Sequence, residues 1–304
     1  MHHGVLPLYK PKGMTSHDCV MKIRRLFQTK KVGHTGTLDP EVDGVLPICI
    51  GRGTKIASYL TEAPKTYEGE VTLGISTTTE DKDGEVVHRK QVTAPFPRDD
   101  IRRVLHSFLG KQTQTPPKYS AMKVKGRKLY EYARLGVEVE RPKKEIYIYD
   151  ISLHEETIRF TENTFSFRFT VTCSKGTYIR TLSTDIGRKL GYPAHMSDLT
   201  RIKSASFTID ECLTFTELEE MKKNGILHEA IRPLKAALPH LPHIEADDEL
   251  LNKIRHGQVL PAWESLPPCF LFVYDGKALA VYEQHPRKDG YIKPKTMLIV
   301  PEEG

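Results

Sequence analysis

Gly33-His34-Thr35-Gly36-Thr37-Leu38-Asp39-Pro40-Glu41-Val42-Asp43-Gly44-Val45-Leu46-Pro47-Ile48-Cys49-Ile50-Gly51 is the stretch from which the rest of this chain can be read. Its second half, Val45 to Ile50, is an apolar run that predicts a buried strand. Its first half is small and polar, with an Asp-Pro step that marks a turn. Gly33 and Gly36 open backbone conformations closed to other residues, and Pro40 biases Asp39 away from the helical region. The pattern therefore predicts an irregular loop that holds Asp39 and feeds a rigid strand, a suitable place for a reactive carboxylate. In isolation an Asp before Pro is more often a turn former, and a lone His34 more often a hydrogen-bonded structural histidine.

Upstream, Val5 to Gly13 reads as a short strand broken by prolines and closed by a Pro-Lys-Gly turn. Thr15-Ser16 then caps a helix whose Cys19, Val20, Ile23, Leu26 and Phe27 share one face. Lys22, Arg24, Arg25, Lys30 and Lys31 lie on or just past its other face, a pattern that fits plain solvation as well as RNA contact. Downstream, Arg52-Gly53-Thr54-Lys55 opens a helix through Ile56, Tyr59 and Leu60. A strand follows with Tyr67, Val71, Leu73 and Ile75 on one face. Ser76 to Gly84 reads as loop and turn, and Val86 to His88 as a returning strand. Pro97 to Gly110 is an amphipathic helix with Ile101, Val104, Leu105, Phe108 and Leu109 on its apolar side.

Residues 112 to 141 change character. Pro116-Pro117, Tyr119, Tyr130 and Tyr132 interleave with Lys123, Lys125, Arg127 and Lys128, a composition suited to an RNA-gripping insertion or to a solvated loop. Strands at 146–153 and 164–173 follow. In the second, Phe165, Phe167, Phe169, Val171 and Cys173 alternate with polar residues. It runs into Ser174-Lys175-Gly176-Thr177-Tyr178-Ile179-Arg180 and a helix with Ile179, Leu182, Ile186 and Leu190 on one face, stopped by Gly191. Arg180 therefore stands in the first helical turn, where a cation is electrostatically unfavourable without an anionic partner. Asp185 is one structural candidate for that partner, and a functional carboxylate or phosphate is another.

The 304 residues suffice for one large and one small domain. From Pro233 onward eight Lys/Arg face ten Asp/Glu, whereas residues 1–232 carry 37 against 29 and so hold the basic surplus. That surplus permits a polyanionic partner without requiring one. Five widely spaced cysteines with no CxxC pair predict buried thiols rather than disulfides or zinc ligands. No apolar run is long enough to cross a membrane, and the N-terminus has no secretory pattern, so a cytoplasmic protein is expected. There is no phosphate-cradling GxxxxGK[ST] loop, and nucleotide hydrolysis is not indicated. After Pro233 come a short helix near Asp248 to Arg255, strands at Cys269 to Tyr274 and Leu279 to Tyr282 about an Asp275-Gly276 turn, and a last strand at Thr296 to Val300. This is the grammar of a small β-rich domain.

Five stretches together carry a family resemblance. They are Tyr9-Lys10-Pro11-Lys12-Gly13, the Gly33–Gly51 segment, Lys65-Thr66-Tyr67, Tyr119 to Lys123, and Ser174 to Arg180. In this order, over residues 4 to 210, the chain resembles the tRNA pseudouridine synthase B (TruB) family, and its tail resembles the PUA RNA-binding domain. The resemblance implies an α+β pseudouridine synthase fold on a mostly antiparallel sheet. It implies a catalytic domain over 1–232, with the insertion near 112–141, and a PUA-like domain over 233–304. The implied reaction converts uridine 55 in the T loop of tRNA to pseudouridine with no cofactor and no metal. The implied partner is the tRNA T stem-loop, with no membrane and no obligate protein partner. Asp39 takes the place of the catalytic aspartate, Tyr67 of the tyrosine stacked on the target base, and Arg180 of the arginine that pairs with the carboxylate. His34 takes the place of the base-displacing histidine, Tyr178 of a second tyrosine and Leu199 of a pocket leucine. Lys10, Lys55 and Lys123, within or beside the matching stretches, are expected to contact RNA. Glu41-Val42-Asp43 and Gly53 stand where the family more often has small or apolar residues.

Two other classes compete. A glycoside or nucleoside hydrolase would pair Asp39 with Asp43, which presumes a helix that Gly36, Pro40 and Gly44 disfavour. A non-catalytic RNA-binding module explains the charge and the tail, but not an aspartate with an arginine partner on a glycine-rich loop. The product separates all three, since hydrolysis frees uracil, isomerisation conserves mass and binding changes nothing.

Overall fold

The computed structural model describes residues 2–299, and the chain divides into two compact units, residues 1–62 with 204–304, and residues 63–203. The first unit begins with β1 (Gly4–Lys10), α1 (Ser16–Leu26), β2 (Val32–His34), β3 (Asp43–Ile50) and α2 (Ala57–Glu62). β3 is central among them. It pairs antiparallel with β1 from Gly4↔Ile50 to Lys10↔Gly44, and on its other side with β2 at Val32↔Ile50 and His34↔Ile48. Leu46, Ile48 and Ile50 pack with Leu6, Leu8, Cys19, Val20 and Ile23. Val45 and Cys49 enter a second core with Val5, Ile56 and Leu60. A strand covered on both faces reads as a continuous apolar run, as expected for this stretch. Truncating one of these leucines to alanine costs about 2–5 kcal/mol.

α1 starts at Ser16 because Thr15 and Asp18 form a reciprocal capping box, with Asp18 N–H donating to Thr15 Oγ1 at 3.1 Å and Thr15 N–H to the Asp18 carboxylate at 3.0 Å. The basic side of this helix is used structurally. Lys22 pairs with Glu219 at 2.9 Å and lies over the Phe215 ring, and Arg24 donates to the Val32 carbonyl at 3.2 Å.

The second unit holds β4 (Lys65–Leu73), β5 (Ile75–Thr77), β6 (Val86–Arg89), α3 (Arg98–His106), β7 (Gly110–Gln114), β8 (Lys123–Val124), β9 (Arg127–Lys128), α4 (Leu129–Arg134), β10 (Lys144–Phe160), β11 (Phe165–Cys173), α5 (Ile179–Lys189) and β12 (Ala194–Ser204). Its sheet runs in the order β12, β4, β11, β10, β7. The ladders β4–β11, β11–β10 and β10–β7 are antiparallel. β11 alternates as expected, with Phe165, Phe167, Phe169, Val171 and Cys173 buried. Three elements differ from expectation. Ile75 is not on β4, because Gly74 at φ +105° breaks the strand and Ile75 opens the β5–β6 ribbon. β10 runs on to Phe160, kept in the ladder by β11 across a register shift between His154 and Arg159. α3 ends at His106, which leaves Leu109 exposed.

The chain then returns to the first unit with β13 (Phe207–Thr208), α6 (Phe215–Lys223), β14 (His243–Glu245), α7 (Asp248–Arg255), β15 (Leu260–Pro261), β16 (Cys269–Tyr274), β17 (Lys277–Gln284) and β18 (Tyr291–Met297). These last strands form a five-stranded sheet ordered β14, β16, β17, β18, β15. One face carries Phe270, Phe272 and Tyr282 against Leu251 and Ile254 of α7. The other carries Leu271, Val273 and Val281 into the core that holds Val45 and Cys49. The Asp275-Gly276 turn has φ +48° and +71°, the left-handed pair that a tight hairpin requires. The expected last strand at Thr296 to Val300 is instead Tyr291–Met297, and Val300 lies outside the described residues.

All five cysteines are free thiols. Cys19, Cys49 and Cys173 are buried, and burial pushes the Cys49 thiol up to about 12. Among the described residues no His/Cys/Asp/Glu group could hold a metal, and no helix is long and apolar enough to cross a membrane.

Candidate active site

The expected site residues fall on both units, and each half has its own construction. In the first unit Asp39 stands half-buried between β2 and β3, with Val42 N–H closing a turn onto its carbonyl at 3.1 Å. Gly36 adopts φ +141°, so the left-handed freedom read into this loop is used there, whereas Gly33 stays out of that region. Three anchors hold the loop. Ser16, the first residue of α1, clamps Leu38 from both sides: Leu38 N–H donates to Ser16 Oγ at 2.9 Å, and the hydroxyl donates back to the Leu38 carbonyl at 3.2 Å. Gly13 N–H donates to the Pro40 carbonyl at 3.0 Å. The Lys10 ammonium donates to the carbonyls of Pro11, Pro40 and Val42 at 2.9, 3.0 and 2.7 Å.

Lys10, expected at the RNA, is 0% exposed. Burial depresses its pKa, opposed by Cys19, Asp43, Glu41 and Asp39. The structure places it under the Asp39 turn as a brace. Of the residues singled out at 41–43, Val42 is buried and Asp43 accepts from Tyr9 Oη at 2.9 Å, while Glu41 is exposed. His34 ends β2, opposite Ile48, and its Nδ1 accepts from Gly36 N–H at 3.3 Å. Lys55 also has a structural partner, donating to the Met297 carbonyl at 2.9 Å. Beside it Arg52 donates to the carbonyls of Leu298 and Ile299, and Tyr59 Oη meets Thr296 Oγ1 at 2.9 Å. This short segment thus fastens the chain over 296–299.

In the second unit Tyr67 stands on β4 opposite Val171, partly exposed at the end of a face that continues through Gly69 and the buried Val71 and Leu73. Gly69 leaves room for its neighbours, because a Cβ there would lie 3.2 Å from Phe169 Cζ and 3.3 Å from Leu199 Cδ1. Buried Leu199 of β12 thus packs two residues along from Tyr67.

Arg180 is 6% exposed in the first turn of α5. Its guanidinium donates to the carbonyls of Thr79 at 3.1 Å and Tyr119 at 3.0 Å, with an Asp81 carboxylate oxygen at 3.7 Å. Asp185, the acid suggested by sequence, pairs with Arg188 at 2.9 Å instead. Buried at the start of a helix, a guanidinium so held is a fixed positive charge. Thr79, Glu80 and Asp81, which read in sequence only as loop, are among the residues that sequence reasoning missed. A buried arginine's need for an acidic partner is the available signal, but it does not say which acid.

Glu80 accepts from Thr181 Oγ1 at 2.8 Å, and burial raises its pKa above 4.5, with Thr181 and Arg180 opposing. The folded state therefore holds this proton more tightly than the unfolded chain does, and the ionised form costs stability once pH rises through the folded pKa. Glu80→Gln keeps an acceptor for Thr181 and removes that cost. The variant is expected to melt about 1–2 °C above wild type at pH 8, with the gain fading as pH falls towards 4.5, in paired thermal melts across that range.

Tyr178 is the N-cap of α5, and its backbone is held by Gln114. Lys123 is exposed on the β8–β9 hairpin, whose turn contains Lys125 at φ +49° and Gly126 at φ +86°. Lys125 and Arg127 are exposed beside it.

A family profile described as TruB family pseudouridylate synthase (N terminal domain) matches residues 24–179, and one described as tRNA pseudouridylate synthase B C-terminal domain matches residues 180–239. A protein of Bacillus subtilis (strain 168) named tRNA pseudouridine synthase B is 56% identical over 305 residues, covering 98% of each chain. One of the same name from Halalkalibacterium halodurans is 52% identical over 296 residues, covering 97% of each. Among solved structures, a chain of a Cbf5-Nop10-Gar1 complex superposes with a TM-score of 0.74 at 25% identity, covering 99% of this chain and 86% of that one. A chain of an archaeal box H/ACA sRNP Nop10-Cbf5 complex does so with 0.71 at 24%, covering 99% of this chain and 88% of that one, a likeness of fold.

Proposed function

The chain belongs to the TruB family of pseudouridylate synthases, and from that premise we propose that it isomerises uridine 55 in the T loop of tRNA, with Asp39 as the catalytic carboxylate acting on a flipped-out base. It is a tRNA pseudouridine synthase, like the relatives it matches over 97–98% of each chain. The reaction breaks the bond between N1 of uracil and C1′ of the ribose, turns the base while it stays bound, and rejoins it through C5. The C5 proton leaves, N1 gains one, and mass is conserved. A carboxylate starts this either as a nucleophile or by stabilising positive charge at C1′, and both routes need it ionised.

The observation that carries this reading is the bracing of the Asp39 loop by Ser16, Gly13 and Lys10. Such bracing presents one carboxylate at a fixed place, which turnover requires and a passive RNA contact does not. Arg180 supplies the fixed positive charge that favours an ionised carboxylate, and Tyr67 a ring face for the turning base. Extruding the base from a stacked loop costs a few kcal/mol, and His34 filling the vacated place offsets part of that. Tyr178 and Leu199 shape the surroundings of the base. Residues 1–232 form the catalytic domain and 233–304 a PUA-like RNA-binding domain. The enzyme works in the cytoplasm on the T stem-loop without an obligate protein partner.

Pseudouridine mapping tests the position. A tRNA transcript is expected to gain one pseudouridine, and a transcript with cytidine at position 55 none. Modification elsewhere in the second transcript would overturn the assignment.

The hairpin of Lys123, Lys125 and Arg127 grips RNA phosphates. Replacing all three by Gln is expected to weaken tRNA binding and to lower the slope of log affinity against log salt by roughly 0.7–0.9 for each phosphate that the hairpin no longer neutralises. Filter binding at several salt concentrations measures this, and an unchanged slope places the hairpin away from the RNA.

A further inference from the structure

Gln114 closes β7, the edge strand of the second unit's sheet, and is 4% exposed. A buried amide needs partners, and this one spends both ends on a single residue. Tyr178 N–H donates to Gln114 Oε1 at 3.0 Å, and Gln114 Nε2 donates to the Tyr178 carbonyl at 3.2 Å. The amide thus copies the pairing that a neighbouring strand would offer. Its target lies at a weak point of the chain. Tyr178 leads from the loop after β11 into α5 and is the N-cap of that helix, yet no side chain caps the helix there. Ser, Thr, Asp or Asn would ordinarily satisfy this end. Here the fixing comes from outside the helix, from a residue 64 positions away. The same carbonyl also accepts the first helical bond, from Leu182 N–H at 3.0 Å, so one amide sets both the exit of the loop and the start of α5.

We propose that Gln114 is a positioning residue for the isomerisation, holding the Tyr178 backbone so that the Tyr178 ring meets the target base in one orientation. The proposal rests on the reading of Tyr178 as a site residue. Gln114 touches no reacting atom and acts through Tyr178.

A double-mutant cycle on single-turnover rate constants tests it, with tRNA transcript as substrate and Gln114→Met, Tyr178→Ala and the double variant compared with wild type. Methionine keeps the volume and removes both hydrogen bonds. Gln114→Met is expected to slow the rate constant about tenfold at full reaction amplitude, with tRNA affinity within about twofold of wild type. The double variant is expected to be no more than about twofold slower than Tyr178→Ala, because the action of Gln114 disappears with the ring. Multiplicative losses would overturn the proposal, as would a wild-type rate constant in Gln114→Met, or a loss confined to amplitude and melting temperature. A wild-type rate in Tyr178→Ala would instead remove the reading of Tyr178. Should Gln114→Met not fold, Gln114→Glu takes its place in the cycle. It keeps the acceptor for the Tyr178 N–H and loses the donor to the carbonyl, and the same outcomes decide.

Discussion

Asp39→Asn is expected to end turnover while tRNA binding persists. The substitution is isosteric and leaves in place the three anchors described above, because Ser16, Gly13 and Lys10 hold the backbone of Leu38, Pro40 and Val42 rather than the Asp39 side chain. What disappears is the negative charge, and an amide neither attacks carbon nor stabilises a developing cation. Single-turnover rates are expected to fall at least about a thousandfold, with tRNA affinity changed by less than about threefold. Near-normal turnover in this variant would remove Asp39 from the mechanism. A large loss of affinity with little loss of rate would make it a binding residue only.

Arg180→Lys is expected to have the next largest effect. The guanidinium reaches two carbonyls, Thr79 and Tyr119, from its two terminal nitrogens, with Asp81 alongside. An ammonium is a point donor on a flexible stem and cannot reproduce that fork. The charge survives but its position does not, so the rate constant is expected to drop about a hundredfold. Arg180→Ala is expected to lose more and to unfold more readily, because it also takes a donor from the partly buried Thr79 and Tyr119 carbonyls, at a cost of about 1–3 kcal/mol. Rates taken well below the melting temperature of each variant separate the two effects. A Lys variant with wild-type rate would mean that Arg180 serves the fold alone.

How much of this was legible in the sequence depends on how local each signal is. β3 was legible because an apolar run long enough for one strand has two faces to bury, and two cores receive it. α1 was legible because Thr15 and Asp18 are neighbours in sequence as well as in the cap. α7 matches its expected bounds, since Asp247 caps it by accepting from Leu250 N–H. β18 was misplaced for a physical reason. Lys293, Pro294 and Lys295 spoil the alternation that marks a strand, while in the fold both lysines pair with Glu283 of β17, and Pro294 meets Tyr282 at a register shift. The tail of β10 likewise reads as polar and becomes a strand through its pairing with β11.

For the site, sequence marked the residues that carry charge or rings and missed those that hold them. Ser16, Gln114 and Asp81 act across long stretches of chain, and no periodicity points from one partner to the other. Lys10 and Lys55 show the converse. Their chemistry suits a phosphate, but the fold buries Lys10 against backbone carbonyls, and the exposed Lys55 donates to the Met297 carbonyl.

The central claim is isomerisation of one uridine by way of Asp39. Its most direct test is tritium release from a tRNA transcript labelled at C5 of its uridines, with free uracil assayed in the same reaction. The expected result is one equivalent released per tRNA by the wild type, no free uracil, no release after cytidine replaces the uridine at position 55, and no release by Asp39→Asn. Free uracil, or equal release by Asp39→Asn, would contradict it.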